Sequence, residues 1–139
     1  MEKWREFAKD IIPKGNYETK LTFGEESGLI IELVKEDTII ALDFGAIFSV
    51  RILDEGIVQT HIHNEKEIMK YKNNSFSNVI YEIENGQYEK ELKKMSGGYL
   101  DVIDYHHYIV ITQNYSIDII AGFPPDIIIN GDYVKLNVK

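Results

Sequence analysis

The sequence predicts a mainly β, α+β domain: an antiparallel sheet of about eight to ten strands curled into a barrel or sandwich, with an N-terminal helix and one further short helix. Three observations carry this expectation. Short segments rich in β-branched and aromatic residues recur from Thr19 onward, turn formers separate them, and only two stretches show a clear helical spacing of apolar residues. One domain, residues 1–139, is expected, because a chain of 139 residues has no linker, internal repeat or low-complexity tract and is long enough to bury a core without staples.

The chain opens with Trp4, Phe7, Ala8, Ile11 and Ile12, whose spacing gathers apolar side chains on one helical face, and Pro13 and Gly15 would end that helix. Residues 19–23, 29–35, 38–44 and 47–53 then read as strands, joined by connections short enough for antiparallel neighbours. Residues 57–63 suggest a fifth strand. Residues 64–74 are open to two readings, a helix capped by Asn64 with Glu65, Glu67 and Ile68 in its first turns, or a polar loop. Residues 76–84 alternate like a strand. Tyr88, Leu92 and Met95 then mark one face of a helix that Gly97 and Gly98 would terminate, against a competing hairpin through Asn85-Gly86. Residues 105–112 and 116–121 form two more strands about a turn at Gln113, Asn114 and Tyr115. Pro124 and Pro125 break the second, and Asn130-Gly131 turns the last hairpin, pairing 127–129 with 133–138.

Composition narrows function by exclusion. Hydrophobic residues make up 44% and charged residues 27%, a globular balance. There is no cysteine, which removes disulfides, thiolate metal sites and cysteine nucleophiles together. The charged N-terminus lacks the apolar core of a signal peptide, and the longest apolar runs are too short to span a bilayer, so a cytoplasmic protein is expected. Fifteen Lys and Arg against twenty-three Asp and Glu give a formal charge of −8, which disfavours nucleic acid and would favour encounter with a basic protein partner, with solubility alone as the simpler account of the acidic surface.

The sharpest candidate for metal chemistry is His61-Ile62-His63, since residues two apart on a strand share a face and offer two imidazoles to one ion. With Glu67 four residues on and Gly56 before it, this stretch resembles part of the first cupin motif, in which two histidines and a glutamate hold a metal inside a small β-barrel. The resemblance implies a metal set of His61, His63 and Glu67, to which His107 would be added, and a metal-dependent small-molecule binder or enzyme. The Gly56-to-His61 spacing is one residue short of the cupin pattern, Asn74 stands where a glycine is expected, and the second motif is missing. Histidines on a wet sheet face, or hydrogen-bonded within the sheet, are the favoured alternative. His106 and His107 are adjacent on one strand and must face opposite sides.

No catalytic residue is assigned. Ser27, Ser49, Ser75, Ser77, Ser96 and Ser116 lie in no glycine-flanked nucleophile elbow, and the glycines at 24, 28, 97 and 98 lack the pattern of a phosphate-cradling loop. Asp43 and Asp118 sit within apolar strands, where an acid costs stability unless it is paired or faces water. Arg51 on a neighbouring strand is a candidate partner for Asp43, and a polar outer face is the simpler account of both acids. Nine tyrosines are noticeable in so short a chain, and Tyr99, Tyr105, Tyr108 and Tyr115 are the candidate partner-binding residues, with core packing as the alternative.

Residues 76–84, Asn85-Gly86, the helix ending near Ser96-Gly97, His107-Tyr108-Ile109-Val110-Ile111-Thr112, Ile117-Asp118-Ile119-Ile120 and Pro125 resemble a group of small, single-domain, uncharacterised bacterial proteins that includes suspected immunity (toxin-neutralising) proteins. The resemblance implies binding rather than catalysis and carries no catalytic residue. A non-enzymatic cytoplasmic interaction domain facing a basic toxin is therefore expected, with no cofactor. The metal-dependent binder or enzyme and a structural oligomerisation module are the alternatives.

Overall fold

The computed structural model describes residues 1–13, 15–54, 65–72 and 78–136. Its strands, in chain order, are β1 (Lys3–Glu6), β2 (Glu18–Gly24), β3 (Gly28–Lys35), β4 (Thr38–Gly45), β5 (Ile47–Asp54), β6 (Ile80–Glu84), β7 (His106–Ile111), β8 (Tyr115–Ala121), β9 (Asp126–Ile129) and β10 (Asp132–Val134). Helix α1 (Glu65–Lys72) precedes β6, and helix α2 (Gln87–Met95) with a 3-10 turn (Tyr99–Asp101) separates β6 from β7. All pairings are antiparallel, giving sheet I in the order β1-β6-β7-β8-β5 and sheet II in the order β10-β9-β4-β3-β2. The two sheets are not closed into a barrel; the arrangement is sandwich-like.

Side-chain alternation explains the layers. Leu29, Ile31, Leu33, Ile40, Leu42, Phe44 and Ile127 of sheet II share one core with Ile80, Tyr108, Val110, Ile117, Ile119 and Ala121 of sheet I. Sheet I buries its other face too. Trp4, Tyr81, Ile83 and Ile109 lie under Ile68 and Tyr71 of α1, while Ile120 lies under Tyr88 and Leu92 of α2 and Leu100 of the 3-10 turn. Both faces of β8 are therefore covered, and every residue from Ser116 to Ala121 is buried.

The chain moves between sheets at three places, between β1 and β2, at Gly45-Ala46 between β4 and β5, and at residues 122–125 between β8 and β9. The crossing at Gly45-Ala46 needs glycine. A Cβ on Gly28, whose φ is +65°, would stand 2.1 Å from the Gly45 carbonyl carbon, so the backbones meet there only without a side chain.

The expected N-terminal helix is replaced by β1. Glu2 and Trp4 are buried while Lys3 and Arg5 are exposed, a two-residue period that pairing with β6 enforces through Trp4↔Ile83 and Arg5↔Glu82. Positive φ at Ala8 (53°) and Asp10 (64°) then bends the chain where a helix would have continued. Pairing with a distant strand has overridden a local helical spacing.

Elsewhere the elements agree with the sequence to within a few residues. At Asn85-Gly86 the helix prevails over the hairpin, and at Asn130-Gly131 (φ 49° and 87°) a tight turn joins β9 to a short β10. Residues 65–72 take the helical one of their two readings. The fifth strand expected at 57–63 lies outside the described residues, as do residues 76, 77, 137 and 138 of two other expected strands. Among the described residues, no helix is long and apolar enough to cross a membrane.

Candidate functional site: a buried charged cluster beneath helix α2

Strand register places three charged residues under α2. Arg51 on β5 stands opposite Asp118 on β8, and Asp118 stands opposite Ile109 on β7, two residues from His107 and on the same face. Asp118 is fully buried and His107 is 2% exposed, so both charges need partners. Asp118 Oδ1 lies 2.7 Å from His107 Nε2, and its Oδ2 accepts from Arg51 Nη2 at 2.9 Å and from Arg51 Nε at 3.3 Å. The arginine takes a forked hold on a single carboxylate oxygen while the imidazole holds the other.

Helix α2 closes the cluster from above. Glu89 Oε1 lies 3.6 Å from His107 Nδ1, an electrostatic contact beyond hydrogen-bond length. The same oxygen accepts from the Gly86 backbone N–H at 2.7 Å, and Glu89 Oε2 accepts from the Tyr105 hydroxyl at 2.5 Å. Tyr88 lays its ring against Arg51, with the guanidinium carbon 4.5 Å from the ring centroid, and its hydroxyl hydrogen-bonds Ser49. Gly86 is needed for this approach, since a Cβ there would lie 2.8 Å from His107 Nδ1 and Cε1. At the start of α2, Glu2 Oε1 accepts from Gln87 N–H at 3.1 Å, placing a second carboxylate near the positive end of the helix dipole.

The electrostatics follow from this packing. Burial pulls the His107 pKa down from its ordinary 6.5, but Asp118 and then Glu89 outweigh it, and the net shift is upward. Burial raises the Glu89 carboxyl, but contacts with His107, Tyr105 and the Gly86 N–H outweigh that, leaving it below its ordinary 4.5. Burial, and then the Glu89 charge, raise the Tyr105 phenol. The upward shift of His107 and the downward shift of Glu89 each favour the charged form of the group, so the two support one another across the cluster.

Beside the cluster, Glu82, Glu84, Asn85, Glu89, Lys93 and Tyr105 are among the residues lining a cleft of about 320 Å³ that reaches His106 and His107. Glu82 is already engaged, accepting from Arg5 Nη2 at 2.8 Å and contacting His106 Nδ1 at 3.0 Å.

The other candidates separate. His61 and His63 lie outside the described residues. Glu67, on α1, accepts the Trp4 backbone N–H at 2.7 Å and contacts Lys70 at 3.0 Å, anchoring α1 to β1. His107 is two strands away on β7, roughly 10 Å across the sheet from the β1 backbone. The structure does not bring Glu67 and His107 together, and among the described residues no group of three or more His, Asp or Glu is arranged to hold a metal ion.

Tyr108 is fully buried between the sheets, its ring 5.2 Å from Phe7 and 5.8 Å from Phe44, so it offers no contact surface. Tyr105 is half-buried and bound to Glu89. Tyr99 and Tyr115 are exposed at opposite ends of sheet I, Tyr99 against Phe48 and Tyr115 opposite Asp54. Asp43 does not meet Arg51, because the crossing at Gly45-Ala46 sends β5 to the other sheet. Its Oδ1 accepts the Gly45 N–H at 3.0 Å instead. Nor is Asp118 on a wet face. The unbroken apolar run around it, Ile117-Asp118-Ile119-Ile120-Ala121, was the available signal that both faces of its strand are covered.

Comparison of the chain with protein-family models, curated proteins and solved structures finds no match.

Proposed function

We propose that this chain is a non-enzymatic protein-interaction domain that binds a basic partner stoichiometrically, with immunity-type neutralisation of a toxin as its setting. The observation that supports this reading best is the engaged state of the buried charged cluster. Nε2 of His107 is taken by Asp118 while Nδ1 faces Glu89 at 3.6 Å without a hydrogen bond, both oxygens of Glu89 accept hydrogen bonds, and Asp118 is held between His107 and Arg51. A general base needs a nitrogen or oxygen within reach of a substrate proton, and a nucleophile needs such a base beside it. Ser49, the serine that joins the cluster, bonds Tyr88 and not the imidazole. Such a cluster fastens a helix to a sheet.

The charge of −8 supports the choice of partner. An acidic domain draws a basic protein through long-range attraction, which raises the association rate at low salt and fades as salt screens it. The test uses the full chain as bait at low ionic strength, followed by calorimetric titration of each purified captured protein. A basic protein binding one-to-one with a Kd below about 1 μM, weakened by salt and losing its own activity when bound, is the expected result. Turnover of a small molecule by the purified chain, abolished by His107→Asn in a folded variant, would overturn the proposal.

A further inference from the structure

We infer that the partner docks on an aromatic patch made by Phe48, Tyr99, Val102 and Phe123, and that it presents an apolar side chain flanked by lysine or arginine. The inference rests on the reading of the chain as a binder of a basic protein and names the surface that does the binding.

Four large apolar side chains stand exposed at one end of sheet I: Phe48 at 45%, Tyr99 at 54%, Val102 at 81% and Phe123 at 78%. They come from separate parts of the chain; two of them meet, and the other two adjoin the segments that carry them. The Phe48 and Tyr99 rings meet edge to face with centroids 6.2 Å apart, joining β5 to the 3-10 turn. Gly122 lies beside them: a Cβ there would sit 3.7 Å from Phe48 Cε2 and 4.0 Å from the Asp104 carbonyl oxygen. Phe123 follows directly, and Val102 caps the turn that carries Tyr99. The other exposed apolar residues, such as Phe23, Met69, Tyr115 and Tyr133, belong to other strands and helices, and isolated exposure of that kind is ordinary.

The patch is also held in place. Leu100, next to Tyr99, is buried against Tyr88 and Ile120, so the turn that displays Tyr99 is anchored in the core. Aromatic side chains on a fixed support lose little freedom on binding, which is why such residues carry much of the energy in protein interfaces.

Charge selects the occupant. Asp101 and Asp104 flank the patch, both are exposed, and neither forms an ion pair with a described residue. Two open carboxylates beside an apolar centre match a partner whose apolar anchor is bordered by cations, with the charges at the wet rim and the rings at the dry centre.

The test is a titration of the isotopically labelled full chain with a synthetic amphipathic peptide of lysine and tryptophan, followed by amide chemical shifts. A lysine-only peptide of equal charge is the comparator. Shifts should concentrate at residues 48, 99–104, 122 and 123. The variants Phe48→Ala/Phe123→Ala and Asp101→Asn/Asp104→Asn, which change exposed side chains alone, should each weaken binding by about tenfold. Binding of the lysine-tryptophan peptide elsewhere on the acidic surface overturns the patch and leaves the basic-partner reading standing. Equal binding of the lysine-only peptide overturns the apolar anchor. Failure of both peptides to bind overturns the patch and the basic-partner reading together.

Discussion

Removing Asp118 tests the buried cluster most directly, because that one carboxylate satisfies two cations. In Asp118→Ala the His107 ring, with its side chain 1% exposed, loses its 2.7 Å contact, and Arg51, with its side chain 22% exposed, loses both of its hydrogen bonds. Breaking a buried pair by deleting one partner costs about 3–5 kcal/mol, because the survivor is left charged and unsolvated. For a chain of this size that lowers Tm by roughly 10 °C or more. Urea denaturation of wild type, Asp118→Ala, His107→Ala and the double variant separates the ion pair from simple loss of packing. The single effects should fail to add by at least about 1 kcal/mol, since each deletion already removes the shared contact. pH gives a second reading with a definite sign. The folded-state pKa of His107 is raised, so its contribution is complete below its unfolded value near 6.5 and disappears as pH rises through the higher folded value. Glu89 acts in the opposite sense, its contribution present above 4.5 and lost as pH falls through its depressed folded value. Stability should therefore fall on the alkaline side in wild type and hold level there in the His107→Ala variant. A cost below about 1 kcal/mol for Asp118→Ala, or additivity within about 0.5 kcal/mol, would refute the reasoning.

Other substitutions probe the same framework. Gly86→Ala should destabilise by about 1–3 kcal/mol in urea denaturation, because its Cβ would stand 2.8 Å from a buried ring, whereas Gly24→Ala, with its nearest neighbour at 3.6 Å, should change stability by less than about 1 kcal/mol. Gly28→Ala should cost at least about 4 kcal/mol or prevent folding, as seen by circular dichroism, since its Cβ would overlap the Gly45 backbone and φ there is positive. Glu67→Ala should cost about 1–3 kcal/mol by leaving the Trp4 N–H unsatisfied, and the emission of Trp4, the single tryptophan, should shift to the red as the edge of sheet I loosens.

How far the sequence could be read depended on whether the deciding contact was local. Strands β2 to β5 and β7 to β9 were legible because their alternation and turn residues lie within one segment, and α2 was legible from Tyr88, Leu92 and Met95. The N-terminal strand was not. The spacing of Trp4, Phe7, Ala8, Ile11 and Ile12 fits a helix, and nothing nearby discloses that Trp4 belongs opposite Ile83. The cluster was half visible. Asp118 stood out as an acid in an apolar strand, but its partners are His107 and Arg51, eleven and sixty-seven positions away, and Arg51 was matched to Asp43 because the change of sheet after β4 has no signature beyond Gly45. The tyrosines show the same limit from the other side, since Tyr99 and Tyr108 are alike in composition and differ only in which face of the fold receives them.

The position of the cluster explains why an interaction domain would retain charges in its interior. Tyr88 and Leu92 alone would let α2 slide along the apolar face of sheet I, because apolar contacts are non-directional. Glu89 removes that freedom: a shift of one residue would separate it from the Tyr105 hydroxyl and His107 at once. Beyond α2 the chain runs through Gly97 and Gly98, both at positive φ, straight into the turn bearing Tyr99 and Asp101. Fixing the register of α2 therefore fixes where Tyr99 meets Phe48, and the charges buried under the helix position a surface to which they contribute no atom. A folded variant that kept its stability but lost this register, such as one with His107, Asp118 and Glu89 all replaced by apolar residues of similar volume, should bind a cationic amphipathic peptide less tightly although every patch residue is intact.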